Sequence, residues 1–213
     1  MEAAVTAIVR KAGPKLTALL RTKPYYSTCD MMQAYKSHVL CLLEGATGAV
    51  YHASATVLAR LDHLQGRFLR ELNLAEEDAF LNFNLAPLSL RRDIAMLGLI
   101  FKCAKGEAHP KLCEMFPRST EPQHRLATRT SEARHSCQLH DQASNSRLDV
   151  LQRSVLGLVK VYNLLPQSFV DSSSVQSFQR KLTDLSRVLG RACNPHWSHR
   201  YSPRVPHHVH LIR

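Results

Sequence analysis

The chain predicts a mainly α-helical fold, an antiparallel helical bundle followed by a poorly ordered basic C-terminal region that contains one further helix. Three features carry that expectation. Within residues 54–105, apolar residues recur at three and four positions, as Val57, Leu58, Leu61, Leu64, Phe68, Leu69 and Leu72, then as Ile94, Leu97, Ile100, Phe101 and Ala104. That spacing gathers side chains on one face of a helix. Neither helix can bury its stripe alone, so each needs a helical partner. Charge is also uneven: residues 1–116 hold 14 Lys and Arg against 11 Asp and Glu, whereas residues 117–213 hold 14 against 6.

The first helix is read from Val5, Ile8, Val9, Ala12, Leu16, Leu19 and Leu20, with Arg10, Lys11, Lys15 and Arg21 around its other faces. Gly13-Pro14 should bend or interrupt it, because proline removes an amide donor and its ring clashes one turn back. A second helix begins near Ser27 or Thr28, carries Met31, Met32, Tyr35, Val39, Leu42 and Leu43, and stops before Gly45. Ser54 caps the third. Glu76, Glu77 and Asp78 suit the first turn of a short helix, where the helix dipole favours carboxylates. Pro87 opens a helix over 88–105 and Gly106 stops it. His109-Pro110 begins a small element ending at Pro117.

Residues 118–147 are rich in Ser, Thr, Gln, Arg and His and poor in large apolar side chains, the composition of an unfolded segment. The expected organisation is therefore a helical domain at 1–116, a flexible linker at 117–147, a docking segment with a helix at 148–189, and a basic His/Arg/Pro tail at 190–213. Residues 155–162 (VLGLVKVY) are β-branched without a helical period and read as a strand or an extended docking segment. Ser172–Ser174 cap the last helix, whose stripe is Val175, Phe178, Leu182, Leu185, Val188 and Leu189.

A formal net charge of +11 favours an anionic partner such as nucleic acid. No secretory leader opens the sequence and no stretch approaches eighteen apolar residues, so no membrane partner is expected. The six cysteines contain no Cys-x-x-Cys pair and read as free thiols of an intracellular, reducing compartment, the nucleus included. A nucleophile elbow and a phosphate-binding glycine loop with lysine are both absent from the sequence. Cys193, His196 and His199 fall at steps of three, with His207, His208 and His210 beyond, but the spacing is not that of a zinc finger. No metal and no other cofactor is expected.

The candidate nucleic-acid contacts are arginines. Arg60 and Arg67, seven apart, project from nearly one side of the third helix, away from its apolar stripe, with Arg70 close by. Arg91 and Arg92 stand near a helix start, where free amides and guanidinium groups together suit a phosphate. Pairing of one of them with Glu76, Glu77 or Asp78 is the alternative. Arg200 and Arg204 flank Tyr201 near Trp197, which sets stacking groups beside charge. A solvated polar face explains the third-helix arginines equally, and surface scatter explains those of the tail.

Several stretches in succession carry a resemblance: residues 40–51 (LCLLEGATGAVY), 61–70 (LDHLQGRFLR) and 85–99 (LAPLSLRRDIAMLGL), then Arg153-Ser154, 161–166 (VYNLLP), 174–179 (SVQSFQ) and Leu182. Over residues 1–189 the chain resembles the part of a non-LTR (LINE-type) retrotransposon reverse transcriptase that follows the polymerase palm. The resemblance implies a helical thumb and linker that clasp an RNA or DNA primer-template, with fingers and palm lying before Met1 and any Mg²⁺ belonging to that missing palm. Nucleotidyl transfer needs clustered carboxylates to hold two metal ions. The family's paired aspartates are not found: Asp30, Asp62, Asp78, Asp93, Asp141, Asp149, Asp171 and Asp184 are isolated from one another. The expectation is thus a fragment or remnant of an RNA-directed DNA polymerase that is no enzyme on its own. The rival is a helical protein-interaction module, docking through the 175–189 stripe and binding no nucleic acid.

Overall fold

The computed structural model describes residues 1–119, 135–143 and 146–205. Among these the chain is mainly helical, and its only β pairing is an isolated antiparallel bridge between Arg118 and Leu139. No helix is long and apolar enough to cross a membrane among the described residues. The chain divides into two compact units, Met1–Arg92 and Asp93–Arg213. Composition placed the division at 116/117. It falls earlier because the later turns of the helix Leu88–Ala104 pack with the C-terminal helix, Phe101 stacking on Phe178 at 4.5 Å between ring centroids.

The first unit opens with α1 (Glu2–Arg21), which buries Val5, Ala12 and Leu16. Pro14 lies inside this helix without ending it, contrary to the expected break. Both Pro14 and Arg10 are exposed, so the carbonyl that loses its partner faces water. Then α2 (Thr28–Tyr35), a π-helical turn (Lys36–Leu40) and α3 (Cys41–Glu44) follow one another without a break. Ser27 caps α2, its hydroxyl accepting from the Asp30 amide at 3.2 Å. The wide turn was not legible in the sequence; it lets the adjacent Val39 and Leu40 both be buried.

After α4 (Thr47–Val50), Ser54 caps α5 (Ala55–Glu71) by accepting from the Val57 amide at 3.4 Å. This helix buries Leu58, Leu61, Leu64, Phe68 and Leu69, the stripe its period announced. Tyr35 stacks on Phe68 at 4.1 Å. Arg60 donates to Thr6 Oγ1, Arg67 to Thr17 Oγ1, and Lys23 Nζ to the Glu71 carbonyl. These contacts ascend together along both chains, so α1 and α5 run parallel. The segment 28–50 carries the chain back from the end of α1 to the start of α5, as antiparallel neighbours in an up-down-up run require. The acidic first turn appears in α6 (Glu76–Phe83), closed by Asn84 in the left-handed conformation at φ 54°.

In α7 (Leu88–Ala104), Ile94, Leu97, Ile100 and Phe101 are buried, and Gly106 ends the helix at φ 75°. The second unit continues through α8 (Pro110–Cys113), α9 (Asp149–Gln152), α10 (Val159–Asn163), α11 (Gln167–Val170) and α12 (Val175–Arg191). The expected strand at 155–162 is instead a 3-10 turn (Leu156–Leu158) running into α10. Ser154 Oγ accepts from the Leu156 amide and the Gly157 amide donates to the Ser154 carbonyl, which closes a local turn before any strand partner is available. Leu158, Val159, Val161 and Tyr162 are all buried, which explains the lack of a one-sided period.

Much of the expected linker, residues 120–134 and 144–145, lies outside the described residues, as do His207, His208 and His210. Of its described residues, His135, Leu139 and Ala143 are buried. His135 is fully buried, with Nε2 3.0 Å from the Tyr162 carbonyl. Asn163 donates to the Leu139 carbonyl at 2.7 Å and accepts from its amide at 3.0 Å, imitating a backbone partner. Ser174 caps α12 through the Ser177 amide, and Phe178 and Leu182 of the α12 stripe are buried within this unit while Val188 is exposed.

Candidate nucleic-acid interface

Charge on the first unit is sorted by the seam between α1 and α5. Residues 6, 10, 13, 17 and 21 follow at steps of four, three, four and four, a single stripe of α1, and residues 60, 63, 67 and 71 form the matching stripe of α5. The seam thereby gathers Arg10, Arg21, Arg60, His63 and Arg67. All are exposed except Arg67, which is half-buried.

Arg60 Nη1 lies 3.0 Å from Thr6 Oγ1 and Arg67 Nη1 3.4 Å from Thr17 Oγ1. A hydroxyl orients a guanidinium without cancelling its charge, unlike a carboxylate. Acidic residues stand at the seam's ends, Glu2 and Glu71. The remaining carboxylate of α5, Asp62, points away from the seam to Arg92.

The arginine pair at the start of α7 is turned inward. Arg91 holds Glu44 through two nitrogens, Nε to Oε1 and Nη2 to Oε2, the latter at 3.0 Å. Arg92 is only 5% exposed, and its Nη2 lies 2.8 Å and 3.0 Å from the two Asp62 oxygens. The internal pairing given as the alternative is present, and its partners are Glu44 and Asp62 where Glu76, Glu77 or Asp78 had been expected. Sequence distance concealed them: Glu44 is 47 positions from Arg91.

Around these pairs the interior is polar. Lys36 Nζ donates to the Phe83 carbonyl, and burial, then nearby Arg91, lowers the lysine's pKa. Gln65 Nε2 donates to the Ala86 carbonyl at 2.9 Å. The Tyr35 hydroxyl is buried without a hydrogen-bond partner, and its pKa is raised by burial first and by Glu44 next. This group of residues ties the segment 28–44 and α5 to the start of α7.

Of the remaining predicted arginines, Arg70 is exposed in the last turn of α5. Arg200, in the second unit, is only 7% exposed and its pKa is lowered, chiefly by burial. Arg204 is exposed, with Nη2 3.5 Å from the Arg153 carbonyl. Tyr201 is buried and donates from its hydroxyl to the Leu182 carbonyl at 3.0 Å, so it provides no stacking surface, contrary to expectation. Cys193, His196 and His199 form no metal-binding group of three among the described residues. All six cysteines are free; burial and the neighbouring Cys113 thiol push Cys103 up to about 11.

The structure thus brings Arg60 and Arg67 together and adds Arg10, Arg21 and His63. Sequence reasoning missed these three. Their signal was the four-and-three spacing along α1 and α5, which becomes meaningful only once the two helices are known to be neighbours. Comparison with models of protein families, with curated proteins and with solved structures finds no match to this chain.

Proposed function

We propose that the first unit is a nucleic-acid-contacting module, the thumb-like part of a non-LTR retrotransposon reverse transcriptase, gripping a primer-template through its phosphates and performing no nucleotidyl transfer by itself. The observation that carries this reading is the α1/α5 seam: guanidinium groups at helical spacing, oriented by threonine hydroxyls, with no carboxylate between Glu2 and Glu71 facing them. Contact of this kind is sequence-independent and weakens with salt, because each neutralised phosphate releases condensed counterions. Arg70 extends the same surface; Arg91 and Arg92 hold the fold beneath it.

Charge reversal tests the reading. Arg60→Glu with Arg67→Glu is expected to weaken binding of a labelled duplex at low salt by about tenfold or more, with unchanged helical circular dichroism. Unchanged affinity in a folded double variant would remove the seam from the binding surface. Arg91→Glu is expected to do the opposite, lowering stability through like-charge contact with Glu44.

A further inference from the structure

We infer that Tyr25 and Tyr26, with the groove beside them, form a base-stacking site for single-stranded nucleic acid at the end of the basic seam. This deepens the phosphate-contact reading and rests on it. Among the described residues of the first unit, the exposed large apolar side chains are Met1, Tyr25 and Tyr26, and the tyrosines are 84% and 58% exposed. An adjacent pair of exposed aromatic rings at the joint after α1 has no part in the core.

Their position is set by the 3-10 turn Lys23–Tyr25 and the extended backbone of Tyr26 at φ −128°, ψ 148°. Lys23 Nζ, bonded to the Glu71 carbonyl, holds this joint against the end of α5, close to where the seam terminates in Arg67 and Arg21. Tyr26 also forms a wall of an open groove of about 530 Å³ between α1 and α2. The groove has an apolar floor of Ala18, Leu19, Met31 and Ala34, with Lys15, Asp30 and His38 among its polar residues.

This combination fits a nucleobase. The floor and Tyr26 accept a flat apolar face, Lys15 and Lys23 supply cations for the adjoining phosphates, and Asp30 presents acceptors to an exocyclic amine. Tyr25, pointing into solvent, serves a neighbouring base. Stacking on aromatic rings is tolerant of sequence because every base has a π-face. The interior bases of a duplex are already stacked on both faces, so only its end pairs present a free face to these rings. The occupant is therefore an unpaired strand, which passes over Tyr25 at the end of α1 to reach the seam, because Lys15, Leu19 and Thr22 of the groove lie on the flank of α1 opposite Thr6, Thr17 and Arg21.

The test uses the full chain, a labelled oligo(dT) strand and a labelled blunt duplex, with binding followed by fluorescence anisotropy. Tyr25→Ala with Tyr26→Ala is expected to weaken oligo(dT) binding about tenfold or more while changing duplex binding less than about twofold. Tyr25→Phe with Tyr26→Phe, which keeps the rings, is expected to retain both affinities. Equal loss for strand and duplex, or undiminished oligo(dT) binding by the alanine variant, overturns the inference; in the second case the pair belongs to a protein-facing surface. The Arg60→Glu, Arg67→Glu variant separates the two readings. Loss with the arginine variant alone leaves phosphate contact standing and overturns the stacking site, whereas loss with the tyrosine variant alone removes the seam from the binding surface and overturns the phosphate-contact reading on which the inference rests. Absence of binding to either probe by the wild-type chain overturns both.

Discussion

The two units solve the same problem with different materials. In the first, long amphipathic helices bury periodic apolar stripes, and their ionic groups are divided: Arg91 and Arg92 are paired inside, while Arg10, Arg21, Arg60 and Arg67 remain on the seam. In the second, α12 and the later turns of α7 bury stripes as well, but the short helical turns beside them are held by side chains that replace backbone partners, as Asn163 does for Leu139 and His135 for Tyr162. The difference shows that a basic composition does not locate a binding surface. Residues 117–213 carry the larger positive excess, yet Arg200 there is buried.

The contrast can be broken from either side, and the largest effect belongs to the apolar core of the first unit. Phe68 is fully buried and stacked on Tyr35, so Phe68→Ala is expected to cost about 4 kcal/mol in urea-induced unfolding. A cost below about 1 kcal/mol would show that the stripe of α5 is not the core. For the second unit the sharpest probe is Gly157. A Cβ there would lie 1.8 Å from the Gln152 carbonyl oxygen, and that contact is with backbone. Gly157→Ala is expected to destabilise by about 3 kcal/mol, which thermal melting would register.

A smaller loss should follow when a backbone imitation is removed. Asn163→Leu keeps the bulk but leaves the buried Leu139 without its two hydrogen bonds, and is expected to cost about 2 kcal/mol by chemical denaturation. Asn163→Leu with no loss would assign the hold on Leu139 to packing alone. The smallest effect is that of acid on His135, whose pKa is lowered by burial, with the hydrogen bond to Tyr162 acting in the opposite sense. Below the ordinary histidine pKa of about 6.5 the unfolded chain takes up a proton that the folded chain resists, so stability falls as pH drops through that value toward the lowered folded pKa. In His135→Gln this component of the pH dependence is expected to disappear from denaturation measured at several pH values.

What was legible in the sequence follows the same division. The stripe of α5, the serine caps at Ser27, Ser54 and Ser174, the acidic start of α6 and the Gly106 stop were all readable, because each depends on residues within a turn or two. That α1 and α5 are direct neighbours was not, since it depends on how the return through residues 28–50, with its π turn, packs. For that reason Arg60 and Arg67 were found while Arg10 and Arg21 were not, and the internal pairing weighed for Arg91 and Arg92 was assigned to Glu76, Glu77 or Asp78 although the partners are Glu44 and Asp62. The helical form of residues 156–163 was hidden because they are buried on several sides and β-branched side chains suggested a strand.

The central claim is that the threonine-oriented arginines of the seam neutralise phosphates. The most direct measurement is the slope of log affinity for a duplex against log salt concentration, compared between the wild-type chain and Arg60→Ala with Arg67→Ala. Each lost phosphate contact is expected to reduce the magnitude of the slope by about 0.9, so the double variant should be shallower by about 1.8. Equal slopes for the two proteins, both folded and both binding, would contradict the account.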